Sequence, residues 1–236
     1  MRNGMAYDMI RKMTKDKEGF TVKKAILFDL DGTLTDSGEG IINCVAYALE
    51  KLGKPEDDLE KLRVFVGPPL MEEFMEYAGV DEEAARQGVT YYRERYAPIG
   101  VFENKVYPGI KDMLVQLKKK GYLLGVASSK PEYFVKQVLE HFELDVYFDQ
   151  MVGSELNGGR SKKSQVVEEV LRRFHLENHR DQVILVGDRE YDVLGAREAG
   201  LDCLAVSYGY GSVEELTKAG PLKIAGSAEE VLDFFE

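Results

Sequence analysis

The stretch Lys23-Lys24-Ala25-Ile26-Leu27-Phe28-Asp29-Leu30-Asp31-Gly32-Thr33 constrains the fold of this chain more than any other. An apolar run, Ala25 to Phe28, ends at two carboxylates one residue apart and a Gly-Thr pair. A short apolar run closed by turn residues reads as a buried strand. A strand that is apolar on both faces needs helices on both faces, as in the parallel sheets of α/β proteins. Ligands of open α/β sheets bind beyond the carboxyl ends of the strands. Asp29 and Asp31 are therefore expected where a reaction site forms. Taken alone, the pair is equally compatible with a helix cap or a metal-binding turn.

Past Asp36 the pattern becomes helical. Ile41, Ile42, Val45, Ala46, Leu49 and Leu52 recur at helical spacing up to Gly53. Leu59–Val66, Leu70–Met75 and Glu82–Tyr96 read as three more helical pieces, and Gly67-Pro68-Pro69 breaks the run. Nothing between 37 and 104 reads as a strand. From Tyr107-Pro108-Gly109 onward, helices and strands alternate. Helices are expected over Ile110–Lys120, Pro131–Phe142, Lys162–Phe174, Tyr191–Ala199, Val213–Ala219 and Ser227–Phe235, the last with Ser227 as N-cap. Strands are expected over Tyr122–Ala127, Phe148–Val152, Gln182–Val186, Asp202–Val206 and Leu222–Ile224. This alternation predicts an α/β fold with a doubly wound parallel sheet. The expected organisation is an N-terminal extension over 1–22, a core over 23–36 and 105–236, and an inserted helical cap over 37–104.

The formal net charge of -11 argues against a nucleic-acid partner, because phosphate backbones demand a basic surface. An anionic small molecule remains compatible if cations gather locally at the site. Cys44 and Cys203 form no C-x-x-C and no zinc pattern, and read as small buried side chains in a reducing compartment. No apolar run reaches membrane-spanning length and the N-terminus has no secretory apolar segment, so a cytoplasmic protein without membrane association is expected.

Four strand exits carry polar residues suited to phosphate-ester hydrolysis. They are Asp29 and Asp31; Ser128-Ser129-Lys130; Gly158-Gly159-Arg160-Ser161-Lys162-Lys163; and Gly187-Asp188-Arg189-Glu190-Tyr191-Asp192. A carboxylate can attack phosphorus, and a second group must protonate the leaving oxygen. Positive charge must hold the phosphoryl oxygens. A hard cation such as Mg²⁺ prefers carboxylate and carbonyl ligands.

In order, these segments resemble the four motifs of the haloacid dehalogenase superfamily, beginning with Asp-Leu-Asp-Gly-Thr-Leu-Thr-Asp at 29–36. The likeness runs from about Lys23 to the C-terminus and is greatest to the phosphoglycolate phosphatase and 5′-nucleotidase branches. The segments Glu103–Gly109 and Tyr208–Ser212 look like the 5′-nucleotidase type. The resemblance implies Asp29 as nucleophile and Asp31 as general acid/base. It implies Ser128 on a phosphoryl oxygen and a stabilising lysine at Lys162 or Lys163, with Lys163 preferred from its spacing to the next helix. It implies Mg²⁺ held by Asp29, Asp188 and the Asp31 carbonyl, with Asp192 in support. A substrate role is expected for Ser129. Arg160 could neutralise a phosphate or lie at the surface. Arg189 could reach substrate or pair with Glu190, and Lys130 could reach substrate or be solvated.

The expected activity is hydrolysis of a small phosphorylated metabolite, a nucleoside monophosphate or a phosphoglycolate-like ester, through an aspartyl phosphate. Asp31 separates this pattern from dehalogenases, whose halide leaving group needs no proton. Motif two has Ser128 where Thr is usual, which keeps the hydroxyl. Motif four has Arg189 where Ser or Thr often stands. In relatives a cap loop like Gly67-Pro68-Pro69 faces the site. Tyr91–Tyr96 reads as core contacts and solvated charges at helical spacing, and His141, His175 and His179 as ordinary. Three rivals stay open: a β-phosphoglucomutase-like isomerase, a non-catalytic regulator, and a phosphonate hydrolase using Lys51 or Lys54 from the cap.

Overall fold

The computed structural model describes residues 23–157 and 159–235, so the expected extension over 1–22 lies outside the described residues. In chain order the elements begin with β1 (Ala25–Phe28), β2 (Thr35–Asp36) and α1 (Gly38–Lys51). A 3₁₀ segment (Leu59–Phe65), α2 (Leu70–Ala78) and α3 (Glu82–Arg95) follow, and α3 runs into a π-helical turn (Tyr96–Gly100). Then come β3 (Lys105–Val106), α4 (Ile110–Lys119), β4 (Leu123–Pro131), α5 (Glu132–His141) and β5 (Gln150–Ser154). The chain closes with α6 (Lys163–Phe174), β6 (Val183–Gly187), α7 (Glu190–Glu198), β7 (Asp202–Val206), α8 (Val213–Ala219), β8 (Lys223–Ala225) and α9 (Ala228–Asp233).

Six parallel strands form one sheet in the order β5-β4-β1-β6-β7-β8. This is the doubly wound α/β fold that the alternating pattern predicts. The burial of β1 shows why its sequence demands two layers of helices. Ile26 and Phe28 enter one apolar cluster with Leu114 of α4 and Val138 of α5. Ala25 and Leu27 enter another with Val167 of α6 and Ala196 of α7. Alternation sends neighbours to opposite faces, and all four side chains are fully buried. Each large one contributes about 1.5–3 kcal/mol through burial.

Residues 37–104 hold helical elements among the described residues, and their apolar faces do not form a core of their own. Ile41, Val45, Phe65, Phe74, Tyr92 and Tyr96 join the cluster containing Ile26 and Phe28. The 3₁₀ piece stands where a helix was expected, and Asp58 caps it by accepting from Glu60 N. At the two ends of this stretch, Thr35 pairs with Val106 and Asp36 with Lys105 in an antiparallel ribbon. Two residues per strand are too few to show a period, so the sequence pattern could not reveal it. Strand β4 runs past Ala127 to Pro131, because a register shift lets Pro131 pair with Ser154 of β5. Ser227 caps α9 as expected, accepting from Glu230 N. Cys44 and Cys203 are buried and free. Among the described residues no helix is long and apolar enough to cross a membrane.

Candidate active site

Register brings the first pieces together. Phe28 of β1 lies between Val126 of β4 and Val186 of β6. The residues that follow therefore gather at one rim: Asp29 and Asp31 beyond β1, Asp188 beyond β6, and Ser128 on the last part of β4. The chain turns sharply after Asp29. Leu34 N and Thr35 N both donate to Leu30 O, and Gly32 takes a positive φ of 85° that favours glycine.

Lys163 opens α6 and points back over its N-terminal turn, as helical side chains do. Its ammonium lies 3.0 Å from Asp29 Oδ1 and 2.9 Å from Asp192 Oδ1, and donates to Ala127 O at 3.0 Å. A Cβ on Gly195 would come within 2.6 Å of the Lys163 stem, so glycine there makes room for it. Lys162 is exposed and stands outside the helix as N-cap, so Lys163 is the lysine that enters the site. Burial opposes its charge, but Asp192 and Asp29 outweigh burial and hold the ammonium above its usual range.

Asp188 and Asp192 sit at the start of α7, both almost fully buried. Asp192 Oδ2 accepts from Asp188 N and Arg189 N, satisfying donors of the helix N-terminus. Asp188 accepts from Thr33 Oγ1 at 3.2 Å and from Tyr210 N at 2.8 Å. The loop Tyr208-Gly209-Tyr210-Gly211 is pressed onto Asp188. A Cβ on Gly209 would lie 2.3 Å from Gly32 O and 2.5 Å from Asp188 Cβ. Gly209→Ala is expected to cost about 2 kcal/mol or more by forcing this loop away. Urea denaturation measures it, and an unchanged midpoint would show that the loop has slack.

Asp29, Asp188 and Asp192 each offer a carboxylate oxygen, and these atoms lie within 4.8 Å of one another. Burial pushes the Asp29 carboxyl up to about 6, against the pull of Lys163, with Asp192 and Asp31 adding to the rise. Burial likewise raises Asp188 well above the usual carboxylate range, with Asp192 and Asp29 contributing. Three crowded, dry carboxylates thus stand together with one ammonium, which pairs with Asp29 and Asp192. Such a hard oxygen set with surplus negative charge fits a divalent cation such as Mg²⁺.

Asp31 stands outside this three-acid group and has a cation of its own. Its Oδ2 lies 2.5 Å from Lys130 Nζ, and both side chains are nearly buried. Lys130 also sits 5.1 Å from the centre of the Tyr96 ring. Ser128 is buried beside Asp29, and hydrogen bonding between them favours the Asp29 carboxylate. Ser129 lies with Asp29, Asp31, Ser128 and Lys130 on the wall of a cavity of about 270 Å³. The opposite wall comes from residues 65–96 and is largely apolar, with Phe65, Met71, Val89, Tyr92 and Tyr96. Arg93 adds a cation and Glu72 a carboxylate, and Gly67, Pro68 and Pro69 also line the space.

Two expected contacts are placed elsewhere. Arg160 donates to Gly153 O and Glu132, beside Glu155 and Glu169, and is absent from the cavity wall. Arg189 pairs with neither substrate space nor Glu190; it donates to Glu215 and to Val66 O. Lys51 pairs with Glu94, and neither it nor Lys54 lines the cavity. Tyr92 and Tyr96 stack at 5.1 Å and Arg93 joins them on the cavity wall, so part of the segment read as core contacts and solvated charge faces this space. The Tyr210 N–H contact to Asp188 was also invisible, because a backbone donor has no residue-type signature. The Gly-x-Gly spacing at 209–211 is the signal that could have marked it.

Comparison with known proteins agrees with this geometry. A family model described as haloacid dehalogenase-like hydrolase matches residues 26–206. A 5′-nucleotidase of Pseudomonas aeruginosa is 43% identical over 83% of this chain and 88% of its own length. The tyrosine-protein kinase PtkA of Mycobacterium tuberculosis is 34% identical, over 86% of this chain and 68% of its own. The crystal structure of a predicted phosphatase from Clostridium acetobutylicum superposes with a TM-score of 0.88 at 47% identity, covering 91% of this chain and 98% of that one. With a match across most of its length and the motif residues gathered at one rim, the chain belongs to the haloacid dehalogenase-like hydrolases, on their phosphatase branch.

Proposed function

We propose that this chain is a Mg²⁺-dependent phosphate monoester hydrolase working through an aspartyl phosphate on Asp29. The observation that carries this reading is the meeting of Asp29, Lys163, Asp188 and Asp192, with Asp29 also on the wall of a cavity that Asp31 lines. The Asp29 carboxylate attacks phosphorus while the bond to the ester oxygen breaks, and Asp31 gives that oxygen its proton. In the second half, Asp31 takes a proton from the water that attacks phosphorus, and inorganic phosphate leaves Asp29. Lys130 stabilises the Asp31 carboxylate once its proton has gone. Lys163 and the Ser128 hydroxyl are positioned to meet the phosphoryl oxygens. Held by Asp29, Asp188 and the Asp31 carbonyl with support from Asp192, Mg²⁺ would offset the negative charge that develops on the phosphoryl group.

Residues 37–104 act as a cap over the core, with the β2–β3 ribbon as its hinge. The aromatic wall supports a leaving group with a flat or apolar part, and the 5′-nucleotidase likeness favours a nucleoside monophosphate over phosphoglycolate. The test is a screen of nucleoside monophosphates, phosphoglycolate and hexose 1-phosphate, with Mg²⁺ and with chelator. Phosphate release that needs the metal is expected. No release from any ester would end the reading, and conversion of hexose 1-phosphate to its isomer would replace it.

Metal affinity should depend on pH. Burial pushes the folded Asp29 carboxyl up to about 6, above the ordinary carboxylate value of 3.8. Between those values the folded state holds the extra proton, so this group's contribution to stability falls as pH rises through that window. A divalent cation must displace the proton and relieves the repulsion left behind. Mg²⁺ is therefore expected to raise Tm more at about pH 7.5 than at about pH 5. Equal shifts at both pH values, read by calorimetry, would count against the acid cluster as the binding site.

A further inference from the structure

Arg189 follows directly on Asp188 and links the acid cluster to the turn that lines the cavity. Its backbone N–H donates to Asp192 Oδ2 at 3.0 Å, and Asp192 is the partner of Lys163. Its side chain leaves in the other direction. Nε donates to Glu215 Oε1 at 2.8 Å, and a terminal nitrogen donates to Val66 O at 2.7 Å. The same Glu215 oxygen accepts from Glu190 N at 2.9 Å, so the brace is tied to the first turn of α7. The guanidinium lies mostly out of solvent.

Val66 is the last residue before the Gly67-Pro68-Pro69 turn that lines the cavity. Gly67 has a φ of 110°, and a Cβ there would lie 3.4 Å from the Arg189 guanidinium. The turn is stiff, since two prolines follow, and Phe65 and Val66 pack its near end into the shared core, but its local backbone bonds do not reach the rim of the sheet. Val66 N bonds locally to Arg63 O, and Glu72 N and Glu73 N bond locally to Pro69 O. Arg189 provides a tie from this turn to the rim of the sheet. A planar guanidinium holds its donors in a fixed fork and so sets two acceptors at a defined separation, whereas a lysine ammonium is a compact point charge on a flexible stem.

We infer that Arg189 is a positioning residue that sets the closed height of the 66–69 turn and so selects substrates by leaving-group size. Its selectivity role rests on the hydrolase reading above. Without the tie the turn lifts, the cavity widens, and the roof no longer grips one leaving group better than another. Binding and orientation by a roof of this kind enter kcat/KM through differential stabilisation of the transition state. A residue that served only overall stability would change all substrates in proportion.

The experiment compares the wild-type chain with Arg189→Ala, Arg189→Lys and Glu215→Ala. Amide hydrogen exchange is read at Val66, Glu72 and Glu73 without substrate, and kcat and KM are read on a series of phosphate monoesters of increasing leaving-group size. Expected for Arg189→Ala is about tenfold faster exchange at those amides, with slow exchange kept in β1 and β6. Also expected is a change of about tenfold in the kcat/KM ratio between the largest and smallest esters, mainly through KM. Glu215→Ala should move both readouts in the same direction. Arg189→Lys should reproduce the loss, and serves if the alanine variant does not fold. Unchanged exchange at these amides overturns the tie, and faster exchange with an unchanged ester ratio overturns the selectivity role. Because exchange needs no turnover, a wild-type chain inactive on every ester would defeat the hydrolase and selectivity readings, while exchange would still decide the tie.

Discussion

Asp29→Asn is expected to lower kcat by on the order of 10⁴-fold or more while leaving the fold intact. The amide keeps the shape of the carboxylate but cannot attack phosphorus. Stability should hold or rise. The native carboxylate is nearly buried among Asp192 and Asp31, and burial raises its pKa to about 6. The neutral amide escapes that penalty, and Lys163 keeps its pair with Asp192. Phosphate release and thermal unfolding, measured on the same preparation, separate the two effects. A variant within tenfold of wild type would remove Asp29 as nucleophile. A variant that is inactive because it has unfolded would say nothing of chemistry, which is why the melting curve is part of the test.

Lys163→Met produces the opposite combination, a loss of both activity and stability. Removing one partner from a buried ion pair costs about 3–5 kcal/mol, since the other charge stays buried and unpaired. Here two carboxylates are stranded, Asp29 and Asp192, at 3.0 and 2.9 Å from the missing ammonium. The stem is almost fully buried, so methionine fills the same channel beside Gly195 and the loss is mainly electrostatic. In chelator the urea midpoint should fall sharply. Mg²⁺ should restore part of the stability by supplying charge to the same carboxylates, without restoring kcat. A loss below about 1 kcal/mol in chelator would mean that solvent already screens the cluster.

The sheet was legible because burial leaves a strong pattern. Ala25–Phe28 and Val183–Val186 have few polar interruptions, and each is followed by acids. Those acids, with Lys163, were also readable, since carboxylates and a lysine at strand exits are unusual enough to stand out together. What stayed hidden depends on direction in space. Lys130 could have pointed to solvent, and only the path of β4 as far as Pro131 brings it to Asp31. Arg160 and Arg189 carry the charge a phosphate would want, but Glu132 and Glu215 lie nearer. Tyr92 and Tyr96 satisfy helical periodicity whether they face a core or a cavity, and here they do both. The β2–β3 ribbon has no sequence period at all.

The position of β1 has a consequence for biosynthesis. The strand is translated first, yet its two neighbours arrive at 123–131 and 183–187. Until the second emerges from the ribosome, one flank of the most apolar strand has open backbone groups and can recruit another nascent chain. A nascent chain with β6 still inside the ribosome is therefore a stickier species than one with residue 187 outside it, and it is in that interval that a chaperone has the most to protect.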